Sequence, residues 1–204
     1  TSIGSSAFEY CSSLTSIKIP NGVTEINWGT FEYCSSLTSI EIPDSVTSIL
    51  QYSFFRCSSL ASINISNSVT KIGEYAFNGC SSLESITVKD ENRYYKSEND
   101  VFFSKNMMTL IKYPPKKNVN SYEIPSSVTV IKSNAFESCL LLDTITIADN
   151  VNRIDDGAFS SCTNLATVYF HGSTEPSFYK TSFKNCPQLQ QIIVTNNDYS
   201  AKTF

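Results

Sequence analysis

A chain of 204 residues with 41% hydrophobic content carries enough apolar side chains for one or two domains with packed cores. Its formal net charge is −4 and only 17% of its residues are charged, which excludes the basic footprint of a nucleic-acid or anionic-membrane binder. No apolar run reaches the length of a bilayer span, and Thr1-Ser2-Ile3-Gly4 has neither the basic flank nor the apolar stretch of a signal peptide. Two readings stay open: an intracellular protein, or one whose targeting and anchoring segments lie outside these residues.

The first elements form a unit that recurs. Cys11, Cys34, Cys57 and Cys80 stand 23 residues apart; after a gap of 59 come Cys139, Cys162 and Cys186, spaced 23 and 24. Phenylalanine precedes each by three positions, from Phe8 to Phe183, and leucine follows each by three, from Leu14 to Leu189. A fixed period of this length is the mark of a repeat architecture, in which no unit can bury its apolar face alone. The Phe-x-x-Cys-x-x-Leu spacing of three predicts a single helical or 3₁₀ turn at one end of each coil. The pair Ile17/Ile19, repeated through Ile40/Ile42, Ile63/Ile65, Ile86/Val88, Ile145/Ile147 and Val168/Phe170, predicts a short strand with its branched side chains inward. Ile17, Ile40, Ile63, Ile86, Ile145 and Val168 are expected as one buried row. Pro20, Pro43 and Pro125 end their strands, because proline has no N–H for the ladder. Val23/Ile26 and its counterparts predict a second short extended segment on the opposite wall of the coil. Stacked coils then lie about 4.8 Å apart.

Between Val88 and Tyr122 the period fails. Asn92-Arg93-Tyr94-Tyr95 leads to Val101-Phe102-Phe103, a polar turn Ser104-Lys105-Asn106, and the run Met107 to Tyr113, which together read as a β-hairpin. Pro114-Pro115-Lys116-Lys117 forms a loop, and Tyr122-Glu123-Ile124-Pro125 restores the register. Near the end, the polar stretch after Val194 breaks the pattern and is expected to close the stack. At the start, Ile3 matches Ile26, so the chain is expected to begin inside a coil, with more repeats or another domain upstream. The expectation is one repeat domain over 1–204, with a hairpin insertion at about 92–121 and a cap at about 183–204.

Reactive chemistry is sparse. No two cysteines lie close enough in sequence for a zinc site, and the odd number of one per coil favours buried, reduced thiols over disulfides between coils. His171 is the one histidine and has no marked nucleophile beside it; Asp155-Asp156 and Asp90-Glu91 read as solvated turn residues. Asn64-Ile65-Ser66 is an N-glycosylation sequon that matters only on a eukaryotic secretory route. No catalytic residue, cofactor site or metal site is expected.

If the Ile-x-Ile pairs face inward, the alternate residues form outward columns. One is small and nearly uniform: Ser16, Ser39, Ser62, Ser85, Ser121, Thr144, Thr167 and Gln191. The other varies in charge and size, as Lys18, Glu41, Asn64, Thr87, Glu123, Thr146 and Tyr169, and is the candidate binding face; the alternative is a merely solvated sheet face. The aromatic insertion is a second candidate, with part of it needed for packing.

These residues resemble the BspA-like leucine-rich repeat family. Ala7 to Ile26 match its pattern Ala-Phe-x-x-Cys-x-x-Leu-x-x-Ile-x-Ile-Pro-x-x-Val-x-x-Ile almost unbroken. Asp100-Val101-Phe102-Phe103 and Leu110-Ile111-Lys112-Tyr113-Pro114 are similar to its inserted hairpin, with Asp100 where glycine is usual. The resemblance implies a leucine-rich repeat solenoid, a right-handed superhelix of about eight coils, β-strand-rich with short turns. By analogy it implies a non-enzymatic protein-binding module at the cell surface or secreted, adhering to host extracellular proteins or other surface proteins. The alternative is a cytoplasmic scaffold repeat without a dedicated ligand site.

Overall fold

The computed structural model describes residues 2–172 and 176–194; the expected cap beyond Val194 lies outside the described residues. The fold is a β-solenoid of about eight turns, rich in short strands. Internal packing divides it into two compact units, Thr1–Lys105 and Asn106–Phe204.

The first unit contains β1 (Ser16–Lys18), β2 (Glu25–Ile26), β3 (Ser39–Glu41), β4 (Ser48–Ile49), β5 (Ser62–Ile65), β6 (Lys71–Ile72), β7 (Ser85–Val88), β8 (Tyr95–Glu98) and β9 (Val101–Ser104). β1, β3, β5 and β7 come from the Ile-x-Ile positions. They pair in parallel with equivalent residues opposite one another, Ile17 with Ile40 and Ile63 with Ile86. β2, β4 and β6 come from Val-x-x-Ile and pair likewise, Ile26 with Ile49 and Ile49 with Ile72. Alternation is clean in β5, where Ile63 and Ile65 are buried while Ser62 and Asn64 are exposed. Of the expected buried row, Ile40, Ile63 and Ile86 are buried here and Ile17 is half-buried.

At the 23-residue step after Val69 and Ile72 stand Asn92 and Tyr95. Asn92 is fully buried and spends its amide on the backbone. Its Nδ2 donates to the carbonyls of Ser66 and Val69, and its Oδ1 accepts the N–H groups of Tyr94 and Tyr95. The chain then turns into the antiparallel hairpin of β8 and β9, whose turn is Asn99-Asp100, both left-handed at φ 49° and 64°. That backbone suits a two-residue hairpin turn, because its twist matches that of the strands. The sequence reading did not mark this turn. Val101, Phe102 and Phe103 are all buried, while Tyr94 projects to solvent.

The second unit contains β10 (Thr109–Lys112), β11 (Ser121–Glu123), β12 (Val130–Ile131), β13 (Thr144–Ile147), β14 (Arg153–Ile154), β15 (Thr167–Phe170), β16 (Ser177–Phe178) and β17 (Gln191–Val194). β11, β13, β15 and β17 form one parallel sheet, with Ile145 facing Val168 and Val168 facing Ile192. β10, β12, β14 and β16 pair side by side as the other wall. Ile145 and Val168 are buried as expected.

The Phe-x-x-Cys stretch departs from a helical turn. Bonds of the i to i+3 type exist, from Ala7 N–H to Gly4 O, Glu9 N–H to Ser6 O and Cys11 N–H to Phe8 O. The intervening N–H groups of Ser6, Phe8 and Tyr10 instead donate to the next coil, at the carbonyls of Trp28, Thr30 and Glu32. Alternate donors thus serve the turn and the stack. The geometry places left-handed residues at two positions of the turn, in the first unit Ser6 and Tyr10, then Gly29 and Tyr33, then Tyr52 and Arg56, then Tyr75 and Gly79. In the second unit they are Asn134, Ser138, Gly157, Ser161 and Asn185. A residue with a β-carbon spends roughly 1–2 kcal/mol to sit there, and asparagine and glycine less.

Two ladders fill the interior beneath this strip. Phenylalanine rings stack at 5.4–5.7 Å from Phe8 through Phe31 and Phe54 to Phe77 in the first unit. In the second, Tyr113, Phe136, Phe159 and Phe183 stack at 4.8–5.0 Å. Beside them, five thiols cap a backbone carbonyl of the coil before: Cys34 Sγ donates to Phe8 O at 3.1 Å, Cys57 to Phe31 O at 3.1 Å, Cys80 to Phe54 O at 3.2 Å, Cys162 to Phe136 O at 3.0 Å and Cys186 to Phe159 O at 3.0 Å. All seven cysteines are free thiols.

Candidate interaction surface

The strand register decides which outward residues meet. Residues one period apart pair directly, so Lys18 stands beside Glu41 and Asn64 beside Thr87 in the first unit. In the second, Glu123, Thr146 and Tyr169 follow one another and continue to Ile193. Lys18, Glu41, Asn64, Thr87 and Glu123 are exposed; Thr146 and Tyr169 are half-buried. All seven therefore point outward from their strands, Lys18 and Glu41 on the sheet of β1 and β3, Asn64 and Thr87 on that of β5 and β7, and the other three on the sheet of β11, β13, β15 and β17, with the serine and threonine positions alongside.

In the first unit this row borders a cleft of about 530 Å³, where β3 and β5 end. Glu41 and Asn64 line one side. Asn21, Ile42, Pro43, Asp44, Ser45, Ser66 and Lys89 form the rest of its wall. Lys89 Nζ reaches across two coils to the Asp44 carboxylate at 2.9 Å. With side chains 43% and 62% exposed, that ion pair orients the two groups more than it stabilises them. Ser45 Oγ ties coils together, donating to Val23 O at 2.8 Å and accepting Gly22 N–H at 3.1 Å. Ser66 takes the place that proline holds one and two periods earlier, and its buried hydroxyl has no partner.

Asp44 and Lys89 are 45 residues apart and escaped the sequence reading. The signal was present, since both follow an Ile-x-Ile strand and stacking brings every such turn to one edge. The insertion contributes less surface than expected. Phe102, Phe103 and Tyr113 are core, Tyr95 uses its hydroxyl to accept the N–H of Ile72, and only Tyr94 and Met108 among the aromatic and methionine candidates are well exposed. Of the expected solvated carboxylates, Asp155 is instead held at 2.9 Å by Arg153, and Asp156 accepts the hydroxyl of Thr181. His171 is exposed in the loop after β15. Among the described residues no cluster of three or more His, Cys, Asp or Glu side chains could hold a metal, and no helix is long and apolar enough to cross a membrane.

Comparison with solved structures places these coils in company. A leucine-rich cell surface protein of Faecalibacterium prausnitzii superposes with a TM-score of 0.77 at 28% identity, covering 94% of this chain and 62% of its own. The pneumococcal vaccine antigen PcpA gives 0.74 at 21% identity, covering 90% and 51%, and a leucine-rich repeat protein of Eubacterium ventriosum gives 0.57 at 22%, covering 89% and 66%. The chain thus spans between half and two thirds of the length of each. No curated protein matches it. The model of the BspA type leucine-rich repeat region matches residues 1–122 and 115–204, in six copies, and so takes in every coil described above. The chain belongs to the BspA type leucine-rich repeat family.

Proposed function

We propose that this chain is a non-enzymatic protein-recognition module acting at a cell surface, in adhesion to host extracellular proteins or other surface proteins. The outward row Lys18, Glu41, Asn64 and Thr87, with its counterpart Glu123, Thr146 and Tyr169, is its binding face. One observation carries this reading. From coil to coil the inward residues stay apolar and mostly Ile or Val, while the outward row changes its residue at every paired step, in charge from Lys18 to Glu41 and in size from Thr146 to Tyr169. A rigid register that presents varied side chains suits recognition of a broad protein surface better than it suits chemistry on a small substrate. The cell-surface description of the Faecalibacterium prausnitzii relative supports the location.

Fluorescently labelled protein added to intact epithelial cells tests the proposal. Saturable binding that protease treatment of the cells removes is expected. Binding that is absent, or that persists after the surface proteins are stripped, overturns it and favours a scaffold role.

A further inference from the structure

On the rim of the first unit, outside the phenylalanine ladder, six rings form a continuous cluster. Tyr10 stacks on Tyr33 at 4.7 Å, Tyr33 meets Phe55 edge-on at 5.7 Å, and Phe55 meets Tyr52 at 5.4 Å. Tyr52 in turn contacts Trp28 at 5.7 Å and Tyr75 at 5.3 Å. The Arg56 guanidinium lies 5.6 Å from the rings of both Tyr33 and Phe55. Tyr10 is 65% exposed and Trp28 44%, and the other four rings are half-buried. Tyrosine, tryptophan and arginine are the residues that dominate binding energy at protein interfaces.

The fold does not require them. Tyr10, Tyr33, Tyr52, Arg56 and Tyr75 all sit at left-handed backbone positions, at φ of 57–59°. The second unit builds the same turns with Asn134, Ser138, Gly157, Ser161 and Asn185. Bulky side chains at such positions are backbone outliers of the kind that accompany functional surfaces. The first unit therefore keeps tyrosines, Tyr10 exposed and the others half-buried, at positions where the second unit folds with less strained residues.

Charge distinguishes one end of the cluster. Glu9 and Glu32, one period apart, precede Tyr10 and Tyr33 in sequence, and among the described residues neither forms an ion pair. Glu32 Oε2 is buried with no hydrogen-bond partner, in space left open by Gly29. Burial first, and then the Glu9 charge, raises the Glu32 carboxyl above the ordinary carboxylate range. Two acids near enough to Tyr10 to help raise its hydroxyl above the usual range, after burial and Tyr33, attract a cation, which aromatic rings also favour.

We infer that this rim is a docking surface, separate from the outward strand row, for a partner polypeptide segment that presents a lysine or arginine next to apolar residues. The basic side chain enters between Glu9, Glu32 and the Tyr10 ring, while the apolar neighbours cover Phe55, Tyr52 and Trp28.

A random linear peptide library displayed on phage, selected on the immobilised chain, tests this, with Trp28 as a fluorescent reporter because it is the one tryptophan. Selected sequences should carry Lys or Arg flanked by apolar residues, and the synthetic peptides should shift Trp28 emission. Their affinity should fall roughly tenfold in Y10N/Y33N/Y52N, whose asparagines suit the left-handed backbone, and in E9Q/E32Q. E41Q/N64A should bind them as the unaltered chain does, so failure here is distinguishable from failure of the strand-row proposal. Acidic or featureless selections, an unmoved Trp28 spectrum, or peptides lost with E41Q/N64A instead would overturn the inference.

Discussion

The recurrence of cysteine at one place in each unit has an atomic reason. The thiol is small enough for the core and still donates to the phenylalanine carbonyl of the neighbouring coil, a bond an alanine could not make. Burial, helped by the nearby Cys11, pushes the Cys34 thiol up to about 11, and burial pushes Cys57 higher still. An unfolded chain ionises its thiols near pH 9, whereas the folded chain keeps these protonated. The stability they confer is therefore fully present below about pH 9 and is lost as pH rises through about 11. Urea midpoints should fall steadily across that window; a flat profile would mean the thiols are not buried as described. Tyr113 presents the opposite case. It occupies the phenylalanine position, stacked on Phe136 at 4.9 Å, but its buried hydroxyl has no partner. An unsatisfied buried group costs about 1–3 kcal/mol, so Tyr113→Phe should stabilise the chain by about 1 kcal/mol in chemical denaturation. A loss of stability would show that the hydroxyl is paired.

At the level of elements, the strands were legible and the turns were not. Ile-x-Ile with a following proline has few readings other than a short strand, and Ile63-Asn64-Ile65 became one with the expected faces. The Phe-x-x-Cys spacing misled because a period of three fits a helical turn equally well. The deciding feature, N–H groups donating alternately within and between coils, depends on neighbours that no single repeat reveals. The hairpin turn at Asn99-Asp100 could have been found, since both residue types tolerate left-handed backbone. In the sequence Asn92 is only the first residue of an irregular stretch, yet it holds the entry to that hairpin through four backbone bonds. Asn92→Val would restore the apolar repeat residue and still orphan the Ser66 and Val69 carbonyls and the Tyr94 and Tyr95 N–H groups. The loss should be at least about 2 kcal/mol, with faster hydrogen exchange across β8. An Asn92→Val chain as stable as the original would reduce the asparagine to a space-filler.

For the whole molecule, the period made the coil legible, because a 23-residue step repeated in register leaves one way to stack equivalent residues. The outward row followed from it directly. The cleft did not, since Asp44 and Lys89 lie about two periods apart with one coil between them, and the rim aromatics did not, since a three-residue spacing leaves their left-handed backbone unmarked. The central claim is that the inward residues hold the fold while the outward row is free to recognise a partner. It is tested most directly by replacing Lys18, Glu41 and Asn64 together with threonine, the residue that Thr87 already supplies. Thermal unfolding and binding to epithelial cells are then measured on the same preparation. The account predicts an unfolding temperature within about 3–6 °C of the original, as for three surface changes of at most about 0.5 kcal/mol each, and cell binding weakened roughly tenfold. Cell binding that survives the triple replacement unchanged, or a collapse of thermal stability, would contradict it.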